Sequence, residues 1–228
     1  MLALLYDVHG NLPALEAVLN DARRAGATRF LLGGDYALFG AWPRETVERL
    51  RELPADWIRG NGERWTAAPG DAPEPAREAI ERCRELLEGE LVAELARLPQ
   101  STVIDGAFYC HGSPASDVES FLPEPSEVDE RLLRGVDSPR VVFGHTHLAF
   151  GREGPRRVEL LNPGSVGMPF DGDPRAAYAL IAEGQAVEGR RVPYDHMASA
   201  AAVRERLGEA GELPARRIEQ SRFNPDVG

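Results

Sequence analysis

Leu2-Ala3-Leu4-Leu5-Tyr6-Asp7-Val8-His9-Gly10-Asn11 is an apolar run that stops abruptly in a carboxylate, an imidazole and a turn. Five successive apolar residues suit a strand buried on both faces, and the residues after them predict a helix. Asn11 is the expected N-cap, with Pro13 in the first turn. Leu12, Leu15, Ala17, Val18, Leu19 and Ala22 then form a helical stripe to about residue 25, where Gly26 ends it. A second strand, residues 29–32, runs into Gly33-Gly34-Asp35. Pro43 opens a second helix through residue 53, and a third strand, 57–59, runs into Gly60-Asn61-Gly62-Glu63. Strand, turn and helix thus repeat, with a polar residue at each strand exit. This is an α/β pattern, in which ligands bind beyond the carboxyl ends of the strands.

Working outward, residues 65–73 turn to Ala, Pro, Gly and Asp and read as a loop, and 74–97 as helix broken near Gly89. Strands are expected at 102–104 and 107–110, the second leading into His111-Gly112-Ser113-Pro114. Residues 126–133 read as helix, and the strand 141–143 exits into Gly144-His145-Thr146-His147. Strands at 157–161, 177–181 and 185–192 precede a last helix over 196–207, which His196 begins or caps. Residues 1–211 read as one domain. Residues 212–228 have little apolar content and are expected to be a poorly packed tail.

The composition narrows the function. The 228 residues include 37 acids against 26 bases, for a net charge of −11, and every base is arginine. A chain this acidic is a poor partner for long nucleic acid, where affinity comes mostly from neutralised phosphates. No apolar run approaches the ~20 residues of a membrane span. The N-terminus lacks the basic region of a secretory signal, which points to the cytoplasm. Cys83 and Cys110 have no metal-ligand spacing and read as packed thiols. Oligomeric state is not legible.

Four of the five histidines stand at strand exits beside glycines. Strand residues at i and i+2 point to the same side, so Asp7 with His9, and His145 with His147, can each converge on one ion. Asp35, Asn61 and His111 complete the set. An Asp-x-His pair or a Gly-Asp turn means little alone; the order and placement of all of them together carry the reading. Imidazole with carboxylate suits Mn, Fe, Zn, Ni or Co. Seven N/O ligands are too many for one ion, but they suffice for two divalent ions sharing a carboxylate, about 3.5–4 Å apart.

Taken in order, Asp7-Val8-His9, Gly34-Asp35, Gly60-Asn61, His111 and Gly144-His145-Thr146-His147 resemble the calcineurin-like metallophosphoesterase superfamily. The stretches Asp7 to Leu12 and Leu161-Asn162-Pro163-Gly164-Ser165-Val166-Gly167 resemble a small bacterial and archaeal phosphodiesterase-like branch of it. The resemblance implies a four-layer α/β/β/α sandwich of two mixed β-sheets flanked by helices. It implies one metal on Asp7, His9, Asp35 and His147, and a second on Asp35, Asn61, His111 and His145, with Asp35 bridging. The implied activity is dimetal-dependent hydrolysis of phosphodiesters, nucleotides or phosphoanhydrides by a metal-bridging hydroxide, on a small phosphorylated substrate. No side-chain nucleophile is needed.

Many superfamily members carry a histidine after Gly-Asn that is thought to protonate the leaving group. Here that position is Gly62, which leaves Glu63 as a substitute acid or, more simply, an orienting group. Arg64 is a candidate for a second phosphate. Tyr36, Phe39, Trp42 and Trp65 are candidates for an aromatic wall. The alternative to an enzyme is a catalytically weakened, metal-binding interaction scaffold of the same fold, for which the missing histidine is the best support. A dimetal hydrolase of amides or thioesters fits this ligand order less well.

Overall fold

The structure, a computed structural model, describes residues 1–182 and 187–225. The apolar run becomes β1 (Leu2–Leu5), followed by α1 (Leu12–Arg24), β2 (Arg29–Leu32), α2 (Pro43–Arg51) and β3 (Ala55–Trp57). After α3 (Asn61–Ala67), α4 (Glu74–Leu87) and α5 (Gly89–Ala96) come β4 (Ser101–Ile104) and β5 (Ala107–Cys110). Then follow α6 (Asp129–Leu132), β6 (Arg140–Val142), β7 (Phe150–Glu153), β8 (Glu159–Asn162), β9 (Ala176–Ile181), β10 (Val187–Val192), α7 (His196–Leu207) and α8 (Glu212–Gln220). The strands form two mixed five-stranded sheets, ordered β10-β9-β1-β2-β3 and β4-β5-β6-β8-β7. β1 pairs parallel with β2 and antiparallel with β9. In the other sheet β5, β6 and β8 run parallel, with antiparallel strands at both edges.

Strand periodicity sorts the apolar residues into layers. Leu2, Leu4 and Tyr6 join Leu31, Tyr109, Val142 and Leu161 between the two sheets. Ala3 and Leu5 face the other way, with Phe30 and Leu32, onto Leu15, Val18 and Leu19 of α1 and Val47 and Leu50 of α2. Val141, Phe143 and Leu160 point outward from the second sheet onto Phe121, Leu132 and Leu133. The Asn11 side chain caps α1 by accepting from Ala14 N at 3.4 Å, and α1 gives way to Gly26 at positive φ.

Several boundaries differ from the sequence reading. β3 lies two residues early. The helix expected over 126–133 shrinks to the four residues of α6, because Pro123 and Pro125 precede it and Gly135 follows at positive φ. β7 was not expected at all; its sequence, Phe-Gly-Arg-Glu, lacks a run of apolar alternation. β8 starts at Glu159 because Arg156 and Arg157 stand at positive φ in a turn. Gln185, read as the start of a strand, lies outside the described residues. His196 begins α7, but the cap is Asp195, which accepts from Ala198 N at 2.9 Å.

The largest correction concerns the expected loose tail from Glu212. Through Gln220 it is α8, which buries Pro214, Ala215 and Ile218, the last two in a cluster with Val203 and Leu207 of α7 and Ile80 and Cys83 of α4. Arg204 of α7 holds Glu212 and Glu219 at 2.8 and 2.5 Å. Apolar content alone was too coarse a measure; the i, i+1, i+4 spacing of those three residues carries the helix. Ile218→Ala, which empties a buried site, should destabilise the protein by about 2–5 kcal/mol and lower its melting temperature by several degrees. An unchanged melting temperature would show that α8 contributes no packing.

Candidate metal centre

Asp7 follows β1, Asp35 follows β2, Asn61 opens α3 after β3, His111 follows β5, and His145 and His147 follow β6. The two sheets therefore deliver their ligand candidates to one edge of the sandwich. Asp7, His9, Asp35, His145 and His147 all have left-handed backbones, with φ of 54°, 49°, 56°, 66° and 58°. Such conformations cost of order 1–3 kcal/mol each for non-glycine residues and persist only where the surroundings impose them. Asp and His tolerate them better than branched residues do.

Hydrogen bonds between neighbouring exits impose them here. His9 N donates to Asp35 O at 2.9 Å, Gly10 N to Tyr36 O at 2.8 Å, and Gly144 N to His111 O at 2.7 Å. The stretch after β8 clamps the rest. Asn162 Nδ2 donates to Gly144 O and to Thr146 Oγ1, both at 3.0 Å, and Ser165 Oγ donates to Asp7 O at 2.7 Å. Gly34, at φ 95°, lets the Asp35 turn approach so closely that a Cβ there would stand 2.6 Å from Gly60 N.

The donor atoms converge. His9 Nε2 and His147 Nε2 are 3.0 Å apart. Asp7 Oδ1 lies 3.4 Å from His147 Nε2, 3.8 Å from His111 Nε2 and 4.0 Å from His9 Nε2. Asp35 places Oδ1 3.4 Å from His111 Nε2 and Oδ2 4.0 Å from His9 Nε2. Asp7, His9 and His147 form one group with metal-ligand geometry; Asp7, Asp35 and His111 form another. The Asn61 amide oxygen is 3.0 Å from His111 Nε2, and the same end of the amide is 2.8 Å from His145 Nδ1. The Asp117 carbonyl lies 3.0 Å from that end as well, and with the amide nitrogen placed there Asn61 donates to all three acceptors, which ties it to both imidazoles.

Two further observations fit these residues to metal ions. Asp7 Oδ1 is buried and has no hydrogen-bond partner, an unmet acceptor aimed at the imidazoles. Three ring Nδ1 atoms are anchored by carbonyls: His9 on Leu38 O at 3.0 Å, His111 on Gly33 O at 2.8 Å and His147 on Met168 O at 2.6 Å. Each anchor favours the Nδ1–H tautomer and turns the Nε2 lone pair inward, as outer-shell carbonyls do for metal-bound histidines.

Glu63 is an orienting group in this geometry. Its carboxylate accepts from Asp35 N at 3.0 Å, Tyr36 N at 2.9 Å and Gly60 N at 2.8 Å, which fixes the Asp35 turn and caps α3. Gly62 is equally constrained. Its N–H donates to Asp35 Oδ1 at 2.7 Å, and a Cβ at this position would stand 2.7 Å from the same oxygen. A histidine here would displace the carboxylate.

A cavity of about 790 Å³ opens beside these side chains. Arg64 lines it, its guanidinium held by Asp117 at 2.7 and 2.8 Å. Of the expected aromatic wall, Phe39 and Trp65 line the cavity. Tyr36 is instead buried in the core, with its hydroxyl donating to Leu32 O and Ile58 O, and Trp42 packs beside Leu38 and Ala41. Sequence reasoning missed Phe170, which stacks on His147 with centroids 4.3 Å apart, and Phe223, edge-on to Phe170. Phe170 lies three residues beyond the Asn162–Gly167 stretch, a neighbourhood that could have flagged it; Phe223 has no comparable signal. Cys110 is packing, as read, and burial pushes its thiol upward.

Two mixed sheets thus gather carboxylates and imidazoles at one set of strand exits, in groups suited to holding metal. Comparison with known proteins gives the family. The sequence matches the calcineurin-like phosphoesterase superfamily domain over residues 1–185, and the chain belongs to that superfamily. It is similar to an uncharacterized protein of Methanocaldococcus jannaschii, at 29% identity, covering 86% of this chain and 88% of that one. The crystal structure of a metallophosphoesterase from Sphaerobacter thermophilus superposes with a TM-score of 0.80 at 29% identity, covering 96% and 98% of the two chains. The fold is also that of a hypothetical protein from Pyrococcus horikoshii OT3, with a TM-score of 0.83 at 22% identity, covering 99% of this chain and 100% of that one.

The buried charges set how the metal-free site titrates. Burial pushes the Asp35 carboxyl up to about 7; the His111 imidazole opposes this, and Glu63 and Asp7 reinforce it. His111 is raised because Asp35 and Asp7 outweigh its burial. Burial would raise Asp7, but the facing imidazoles of His147, His111 and His9 hold it below the usual carboxylate range. Burial, then a neighbouring imidazole, lowers His9 to about 3 and His145 to about 4. His9 and His145 therefore offer lone pairs throughout the neutral range, while Asp35 and His111 retain proton that a cation must displace. Metal uptake near neutral pH should release protons, and affinity should fall by up to about tenfold per unit per displaced proton as the pH drops from about 8 to 6. A pH-independent affinity over that range, measured by metal titration, would show that the pair carries no proton there.

Proposed function

We propose that the chain hydrolyses small phosphorylated substrates, namely phosphodiesters, nucleotides or phosphoanhydrides, with two divalent ions. Asp7, His9, Asp35 and His147 would hold one; Asp35, Asn61, His111 and His145 would hold the other. The observation that carries this reading is Asp35, whose two oxygens face His9 on one side and His111 on the other. Each carboxylate has one oxygen on a backbone donor, Asp35 Oδ1 on Gly62 N at 2.7 Å and Asp7 Oδ2 on His145 N at 3.1 Å, and Asp7 Oδ1 stands between His147 and His111, so the assignment of the bridge to Asp35 is decided by substitution. Manganese is the metal of first choice for the assay, among several that suit N/O ligands.

When bound, two such ions acidify a water and neutralise the phosphoryl oxygens of an ester held in line. The protein's own part is to keep the donors in register. Nδ1 anchors fix three imidazoles, Glu63 and Gly62 N–H fix Asp35, and the Asn162–Gly167 clamp fixes Asp7 and the His145–His147 turn. Asp35→Ala should cost both ions and abolish turnover, whereas Asn61→Ala should mainly weaken one. Metal counting that still found two ions per chain in Asp35→Ala, with near-normal turnover, would exclude a bridging Asp35.

Proton donation is the step this site supports least. General-acid catalysis is typically worth about 10²–10⁴-fold and matters most for basic leaving groups. Glu63 is engaged with three backbone N–H groups and position 62 has no side chain. Nitrophenyl esters and phosphoanhydrides should be good substrates and simple alkyl esters poor ones, so log k should fall steeply with leaving-group pKa. A flat dependence would reveal a proton donor elsewhere in the cavity.

A further inference from the structure

The cavity is far larger than a phosphoryl group needs, and its far wall comes from α8 and the residues after it. Arg217 of α8 lines this wall, with its guanidinium 4.3 Å over the Phe223 ring and 5.8 Å from the Phe170 centroid. Its Nε donates to Phe223 O at 2.8 Å, which leaves the terminal N–H groups of the fork unengaged by any carboxylate among the described residues. The other cavity arginines are held: Arg64 by Asp117, and Arg77 by Glu74. Burial disfavours the Arg217 charge, and a carbonyl and two ring faces, with no carboxylate among the described residues, attend it. In a chain with an excess of acids, a half-buried cation without an acid partner is costly, and an arginine fork is suited to anionic oxygens.

The walls beside it are aromatic. Phe39 and Phe170 flank the metal ligands His9 and His147, Trp65 lies next to Arg64, and Phe223 stands at the rim, 56% exposed. Rings of this kind favour a flat ring between them over a flexible chain. Resting on the reading of the metal centre as a phosphoesterase site, we propose that this cavity selects a phosphoester with a nucleobase-like ring and a second anionic group. Arg217 is the specificity residue for that second anion. The chemistry is that of a nucleotide bearing at least two phosphates, one at the metal ligands, the base among the rings and the other phosphate on Arg217.

Three substrates with one leaving group test this: bis(p-nitrophenyl) phosphate, the p-nitrophenyl ester of thymidine 5′-phosphate, and the same ester with an added 3′-phosphate. KM should fall at each step while kcat changes little. Arg217→Met should erase the gain from the 3′-phosphate, roughly 10–100-fold, and Arg217→Lys should keep part of it. Binding of thymidine 3′,5′-bisphosphate against thymidine 5′-phosphate, followed by tryptophan fluorescence, should show the same preference and the same loss without turnover. Equal KM for all three esters, or a bisphosphate preference untouched in Arg217→Met, would overturn the proposal. Failure to release nitrophenolate from any ester with any metal would instead overturn the phosphoesterase reading, and the binding preference would still decide the role of Arg217.

Discussion

Two carboxylates and three imidazoles, all nearly closed to water, face one another at 3–4 Å with too few protons to satisfy them. Burying ionisable groups this way is unfavourable unless they are paired, and the pairing available inside the protein is incomplete, as the unpartnered Asp7 Oδ1 shows. Much of the architecture near the site follows from holding that cluster together. The parallel strands bring the ligand turns to one edge, left-handed backbones aim the side chains inward, and carbonyls anchor the outer ring nitrogens. A bound cation would supply the missing positive charge and complete the arrangement.

The cost of this arrangement is distributed over hydrogen bonds that join exits far apart in sequence. Asp7 is held by residues near 34 and 165, and His145 is reached through Asp7 itself. The turns that carry the candidate ligands are therefore tied together, and the stretch from Asn162 to Gly167 holds two of them in place. The close fits at Gly34 and Gly62 belong to the same economy of space. At Gly34 the facing backbone of Gly60 leaves no room for a side chain, and at Gly62 one would require the Asp35 carboxylate to move.

The fold and the gathering of these polar side chains at one edge were legible because both depend on local patterns. β1 announced itself as an apolar run, α1 as a capped stripe, and Asp7, His9, Asp35, Asn61, His111, His145 and His147 as polar residues at strand exits. What stayed hidden depends on contacts between distant segments. Nothing local distinguishes Tyr36, a core residue, from Phe39, a cavity residue three positions on. β7 is a strand only because β8 pairs with it. The packed face of α8 is too sparse to notice without α4 and α7 against it, and Phe223 acquires a role only when Phe170 and Arg217 meet it in space.

The superfamily match ends at residue 185, while Leu213, Pro214, Arg217 and Phe223, which line the cavity, all lie beyond it. The reactive groups and the far wall that surrounds a ligand are therefore written in separate parts of the chain, joined mainly through helix packing. Substitutions on the cavity side of the later part can reshape what enters, whereas those in its packed face reach Leu38 and Met168, whose carbonyls anchor His9 and His147. Descent within such a lineage can preserve one chemistry while its clientele diversifies, and relatives sharing every ligand here need not share a substrate.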